Sequence, residues 1–371
     1  MKSKTQLLFL AAVLLLASVA SFAQSPYYVL TNDDNLANSA TVFNLDPTNG
    51  NLTEVLTLQT GGEALGGGYY GSETQIITPD AACIFVSEGG GTPDIAAFSK
   101  ATHYSKVGNY SNSKLGGGTN MPMIANAQGT LLYAAYETTS NIGVWTIEPD
   151  CSLSLANVVG SSDFLGSMAI THDGKTLVAG YVIVKKIGSF SISGSNLTNN
   201  GAVKALAQPS AIAITNDDQV VIIGTAYNKA HPSQLITASL PGLTNQELWT
   251  VGPGYSAGSI ALSPNGSAGN GCLYIGNTGG GDANQSGVTG AVFTESPLNF
   301  TYVNSVLSPQ ADSLGTVETI TNTGNGGGVY AAESAGYIGV YAANSNCAVK
   351  LVKETLDPNT TMFLSLTSWV Q

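Results

Sequence analysis

One unit recurs along this chain, and its clearest copy runs from Gly166 to Val203. An apolar strand through Met168-Ala-Ile170 is followed by an Asp-Gly turn at Asp173-Gly174 and a second strand, Leu177-Val-Ala-Gly-Tyr181. A third strand over Lys186 to Ile192 and a polar hairpin into a fourth over Asn196 to Val203 complete it. Four strands joined by tight turns read as one antiparallel blade. Turn anchors recur at Pro79-Asp80, Gln128-Gly129, Asp173-Gly174, Asp217-Asp218, Asn265-Gly266 and Gly324-Asn325, in steps of roughly 44 to 59 residues, the period of four-stranded propeller blades. Helical periodicity is nearly absent.

The second strand repeats as Ile84–Glu88, Leu132–Tyr136, Leu177–Tyr181, Val221–Thr225, Leu273–Asn277 and Val329–Glu333. Six complete units start near residues 73, 120, 166, 209, 257 and 316. Residues 26–60 supply three further strands that lack an inner partner, and Met362 to Trp369 at the other end can provide it. The expected fold is therefore all-β: a seven-bladed propeller of four-stranded antiparallel blades, its ring closed by a C-terminal strand on the N-terminal blade. Closure removes exposed sheet edges. An open β-solenoid is the alternative.

Residues 1–23 combine Lys2 and Lys4, an apolar run from Leu7 to Ala17 and small residues before Gln24, the pattern of a cleavable signal peptide. Residues 24–371 are then a single domain, secreted or periplasmic and without membrane insertion. The formal charge of −12 becomes −14 once Lys2 and Lys4 are removed, which argues against nucleic acid as a partner. Only 10% of residues are charged and 44 are glycine, as suits sheets whose faces are mostly buried. All twelve basic residues are lysine.

Cys83 and Cys272 open second strands, whereas Cys151 and Cys347 lie in hairpins between third and fourth strands. Both kinds of position lie on one face, each one blade apart, so the repeat favours disulfides Cys83–Cys151 and Cys272–Cys347. No Cys and His share a zinc-ligand spacing, and no metal site is expected from them.

Ligands of propellers usually enter at the loops after second strands and before first strands. There the second strands end in Asn32, Glu88, Tyr136 with Glu137, Tyr181, Thr225, Asn277 and Glu333, while Glu73 and Glu318 begin first strands. Such a ring of carboxylates and amides suits a cation or a polyhydroxylated ligand. No cofactor is expected, although a structural calcium would be compatible with Asp33 and Asp34 beside Asn32. The glycine triplets Gly66–Gly68, Gly89–Gly91, Gly116–Gly118 and Gly279–Gly281 read as permissive loops, since no helix follows them to cradle a phosphate. Of the three histidines only His231 falls on this face, near Tyr227 and Lys229. Glu88, Glu333 and His231 are the acid–base candidates. Tyr69, Tyr70 and Tyr181 are the aromatics that could stack on a sugar.

Tyr274-Ile-Gly-Asn277 and Tyr28-Val-Leu-Thr-Asn32 resemble the Tyr-Val-Thr-Asn repeat of extracytoplasmic bacterial propellers. The grammar of an apolar strand, Ser263-Pro-Asn-Gly266 and then Leu273-Tyr274 resembles the seven-bladed lactonase-like family, which includes bacterial 6-phosphogluconolactonases and fungal muconate-lactonizing enzymes. That resemblance implies the fold over the whole mature chain. It also implies His and Arg in the loops entering first strands, where a cation would steady developing negative charge. Here those loops read Gly71-Ser-Glu73, Asn120-Met-Pro122, Leu165-Gly-Ser167, Gln208-Pro-Ser210, Ala257-Gly-Ser259 and Leu314-Gly-Thr316, with no Arg, His or Lys. The sequence therefore favours a monomeric binding scaffold over an enzyme, with a protein or carbohydrate ligand on the glycine-rich acidic face. A lactonase or lactonizing enzyme acting on an extracellular lactone is the alternative.

Overall fold

The structure is a computed structural model and describes residues 27–33, 35–46, 49–63, 74–90, 94–116, 121–136, 139–161, 163–225, 233–253, 256–267, 270–277, 287–309, 317–322, 329–333, 336–359 and 366–370. Its strands form seven four-stranded sheets, antiparallel throughout. The first sheet runs Leu366–Val370, Tyr27–Asn32, Ser39–Asp46, Asn51–Gln59, and the second Gln75–Ile77, Cys83–Glu88, Asp94–Ser99, Ser105–Tyr110. The third comprises Met123–Ala125, Leu131–Tyr136, Asn141–Ile147 and Leu153–Gly160; the fourth comprises Ser167–Ile170, Thr176–Tyr181, Lys186–Ser193 and Asn196–Lys204. Pro209–Ile214, Val220–Thr225, Gln234–Ser239 and Thr244–Thr250 make the fifth, and Ala257–Ser267, Asn270–Asn277, Gly287–Glu295 and Leu298–Leu307 the sixth. Val317–Asn322, Val329–Glu333, Tyr337–Ala343 and Val349–Leu356 make the seventh.

The sheets stack as the blades of an all-β propeller. Each first strand touches the first strand of the next sheet, and Leu366–Val370 touches both Val317–Asn322 and Gln75–Ile77. Second strands are apolar on both faces because each face meets a neighbouring sheet. Cys83–Glu88 is buried at every position, and Leu131–Tyr136 and Val220–Thr225 at all but their first. Fourth strands, farthest out, have one neighbour and water, so Asn196–Lys204 buries little beyond Leu197. Between adjacent sheets lie separate apolar cores, such as that of Phe85, Leu132, Ala134 and Trp145 between the second and third.

Several first turns share a polar device. Thr171 Oγ1 donates to Asp173 Oδ1 (2.8 Å) and accepts from Thr176 N (3.0 Å), while Asp173 Oδ1 also accepts from Lys175 N (2.9 Å). Thr78 with Asp80, and Thr215 with Asp217, repeat it. The side chains thus reinforce turns that backbone bonds such as Gly174 N to Thr171 O (2.8 Å) already close.

On the face of these turns, successive sheets are joined by different chemistry. Disulfides Cys83–Cys151 and Cys272–Cys347 join the second to the third and the sixth to the seventh. Cys151 and Cys347 occupy equivalent hairpin positions, with φ of 69° and 64°. Asp218 accepts from His172 N and Nδ1 (2.7 and 2.8 Å) between the fourth and fifth sheets, and Glu295 accepts from Asn216 N (3.0 Å) between the fifth and sixth. Between the seventh and first, Lys353 Nζ donates to Asn51 Oδ1.

The disulfides span 68 and 75 residues. Loops of that length constrain the unfolded chain by about 4 kcal/mol each in the chain-entropy model. Replacing both Cys272 and Cys347 by serine should lower the unfolding free energy by that order in urea melts, and an unchanged midpoint would refute the bracing role.

Candidate functional site

The polar residues that end the second strands do not line an open rim. Asn32, Glu88, Tyr136, Tyr181, Thr225 and Asn277 are all buried, and the polar groups of Asn32, Glu88, Thr225 and Asn277 serve junctions between strands, loops and sheets. Asn32 Nδ2 donates to Thr74 Oγ1 (3.1 Å) across to the second sheet, and its Oδ1 accepts from Asn38 Nδ2 (3.0 Å). Asn277 accepts from Ser233 Oγ of the fifth sheet and donates to Thr289 Oγ1 (2.7 Å). Thr225 Oγ1 donates to Gln234 O (2.9 Å). Tyr136 and Tyr181 lie across glycines of the adjacent third strand. A Cβ on Gly188 would come within 2.7 Å of the Tyr181 ring, and one on Gly143 within 3.2 Å of the Tyr136 ring and 2.9 Å of Trp145 Nε1.

The backbone of Glu318 and of Glu333 lies in strands of the seventh sheet, but their side chains lie outside the described residues. Glu73, His231, Asp34, Glu137, Tyr69 and Tyr70 lie outside them entirely, as do the triplets Gly66–Gly68 and Gly279–Gly281. Of the acid–base candidates, Glu88 is therefore the one whose surroundings are defined.

Glu88 ends the second strand of the second sheet and is fully buried. Its Oε1 accepts from Gly62 N (2.9 Å), in the loop that arrives from the first sheet. Asn109 Nδ2 donates both to Glu88 Oε2 (2.9 Å) and to Asp94 Oδ2 (3.0 Å), so one amide holds two carboxyls together. Asp94 stands opposite Glu88 in the strand register. Burial, with the hydrogen bond and negative charge of Asp94, pushes the Glu88 carboxyl up to about 8, so it carries a proton at neutral pH. A Cβ on Gly62 would lie 1.9 Å from Glu88 Oε2, so a larger residue there would displace the carboxyl. Lys106, beside this loop, donates to Thr60 O.

Around the pair are polar atoms short of partners. Asp94 Oδ1 is buried and makes no hydrogen bond, and Tyr136 Oη and Trp145 Nε1 are buried side by side with no hydrogen bond to any other group. Burial raises the Tyr136 hydroxyl, which is offset in part by the Trp145 indole beside it and reinforced by Asp94. The arrangement can shuttle a proton between two carboxyls and offer phenol and indole donors to an oxygen. Asp94, Asn109 and Trp145 escape a motif search because none ends a second strand; only the strand register brings Asp94 to Glu88.

Among the described residues no group of three or more His, Cys, Asp or Glu comes together as a metal set, and no helix is long and apolar enough to cross a membrane. His172 is engaged with Asp218 on the opposite face, and His103 occupies a left-handed turn in an outer hairpin.

No family model matches the sequence, so the Tyr-Val-Thr-Asn resemblance gains no support from that comparison, and no curated protein matches it either. Solved structures do match. A candidate 6-phosphogluconolactonase from Bacteroides fragilis is 15% identical, with 94% of this chain and 99% of that one covered and a TM-score of 0.72. A second, from Bacteroides uniformis, is 13% identical over 93% and 99%, also at 0.72. The periplasmic gluconolactonase of Pseudomonas aeruginosa is 14% identical over 94% and 99%, at 0.67. These likenesses show a lactonase-like propeller fold.

Because the folded protein holds the Glu88 proton more tightly than the unfolded chain does, stability should fall as pH rises from about 4.5 to about 8. The slope for this one group is at most about 1.4 kcal/mol per pH unit. Glu88→Gln, which mimics the protonated acid, should flatten that part of the stability–pH curve. A thermal melt series across this range checks it, and an unaltered slope in the variant would exclude Glu88 as its source.

Proposed function

We propose that this chain is a seven-bladed, ring-closed propeller of the extracytoplasmic space that hydrolyses an unphosphorylated lactone. The observation that carries the reading is the Glu88–Asp94 pair with unsatisfied phenol and indole donors beside it, on a fold shared with a periplasmic gluconolactonase. Asp94, half-buried as a residue, is the member of the pair nearer the surface. Its free Oδ1 accepts a proton from the attacking water as the water oxygen bonds to the lactone carbonyl carbon. The Tyr136 hydroxyl and Trp145 N–H donate to the carbonyl oxygen, on which negative charge develops. Asp94 hands that proton on to the departing ring oxygen, while Glu88, protonated behind it, stays hydrogen-bonded to Asp94.

A phosphorylated lactone is disfavoured because the chain has no arginine and the loops entering first strands carry no cation. Two disulfides fit an oxidising compartment, as does the signal-peptide pattern of residues 1–23.

A second reading, a non-catalytic scaffold for a protein or carbohydrate partner, draws on one observation. The polar ends of the other second strands are consumed in holding the molecule together.

Residues 24–371 should open neutral aldonolactones faster than their phosphorylated counterparts in a pH-stat assay. Asp94→Asn should reduce kcat by about 100-fold, the usual contribution of a positioned acid–base group, with the melting temperature near that of the parent. Full activity in Asp94→Asn would remove the pair from the mechanism, and no turnover of any lactone would leave the scaffold reading.

A further inference from the structure

The first sheet is the one whose strands come from both ends of the chain. Leu366–Val370 pairs with Tyr27–Asn32, Val370 opposite Tyr27 and Leu366 opposite Thr31. At the end of this pairing two further carboxyls are buried. Asp33 directly follows Tyr27–Asn32, and Asp357 directly follows the outer strand of the seventh sheet, Val349–Leu356. They meet across the junction at Thr31, whose Oγ1 lies 3.0 Å from Asp33 Oδ1 and 3.2 Å from Asp357 Oδ2.

Thr31 has a single hydroxyl proton and cannot donate to both carboxyls. Its Oγ1 also lies 3.3 Å from Thr41 O, a third acceptor. Asp33 Oδ2 accepts from Ser39 Oγ and Thr41 Oγ1, and Asp357 Oδ1 from Asn359 N (2.8 Å). Asn359 reaches back to the first sheet through Thr41 Oγ1 (3.2 Å). The hydroxyls that meet Asp33 all belong to the first sheet, whereas Asp357 reaches across to Thr31 from the end of the seventh, so the two carboxyls face one another over a single shared hydroxyl. The charged neighbour that faces them is Glu54, on Asn51–Gln59, which adds negative charge, and no described cation compensates. Two adjacent buried carboxylates repel strongly in a low-dielectric setting.

We infer that the junction of the last and first sheets is a proton-operated latch, closed while the Asp33–Asp357 pair retains a proton and loosened when both carboxyls ionise. Burial raises both groups, and the charge of Asp33 helps push Asp357 up to about 7. A carboxyl raised on folding favours the folded state at low pH; that advantage is lost as pH rises from about 4 through about 7. The strand most exposed to the change is Leu366–Val370, which reaches the first sheet only through its pairing with Tyr27–Asn32.

Hydrogen exchange on residues 24–371, followed by mass spectrometry at about pH 5.5 and about pH 8.5 and corrected for intrinsic rates, tests this. Protection of peptides spanning Leu366–Val370 and Tyr27–Asn32 should drop by at least about tenfold at the higher pH, while Thr176–Tyr181 keeps its protection. Asp357→Asn should abolish the drop, and Asp218→Asn, in the turn that joins the fourth and fifth sheets, should retain it. Should Asp357→Asn fold poorly, Asp33→Asn asks the same question from the other side. Equal protection at both pH values in the parent protein, or a drop that persists in the folded Asp variant, would overturn the latch.

Discussion

Everything in this molecule depends on burying second strands from both sides. A sheet that packs on neighbours at each face must make its central strands apolar throughout, as in Ile84-Phe85-Val86 and Val221-Ile222-Ile223, all fully buried. That requirement moves the polar problem to the strand ends, where backbone and side chains leave the apolar layer. An unmatched polar group there costs on the order of 1–3 kcal/mol, so the ends of second strands are where side-chain hydrogen bonds collect. Asn32, Thr225 and Asn277 are the clearest instances.

Two junctions depart from this pattern by placing carboxyls where amides or hydroxyls would serve. Glu88 with Asp94, and Asp33 with Asp357, are pairs in which burial favours a retained proton. Their surroundings differ. Asp33 and Asp357 are met by hydroxyls and a backbone N–H, the company of a structural tie. Glu88 and Asp94 sit beside donors and an acceptor that nothing in the described chain satisfies, which is why the chemical proposal rests on them.

The legible and illegible parts of the sequence divide along this line. Cys83 with Cys151, and Cys272 with Cys347, could be paired from the repeat because their two kinds of position lie on one face and each pair joins a blade to the next. The apolar second strands were equally readable, since a continuous run bounded by turns has few other uses. The strand-end residues could be located but not understood. Asn32 or Tyr181 at the end of a strand reads as a rim until its burial is known. Asp94 was invisible because its role comes from standing opposite Glu88 in the register, and Asp357 because it is 324 residues from Asp33. The Thr-x-Asp turns at Thr78, Thr171 and Thr215 are a local signal that a closer reading of the first turns would have found.

The two disulfides also decide how the chain survives being cut. A protease that nicks any loop between Cys83 and Cys151, or between Cys272 and Cys347, leaves a covalently continuous molecule, because the bridge spans the wound. The stretch from Ser152 to Gly271 has no such bypass. A single cut there yields two fragments joined by packing and by the pairing of Leu366–Val370 with Tyr27–Asn32 alone.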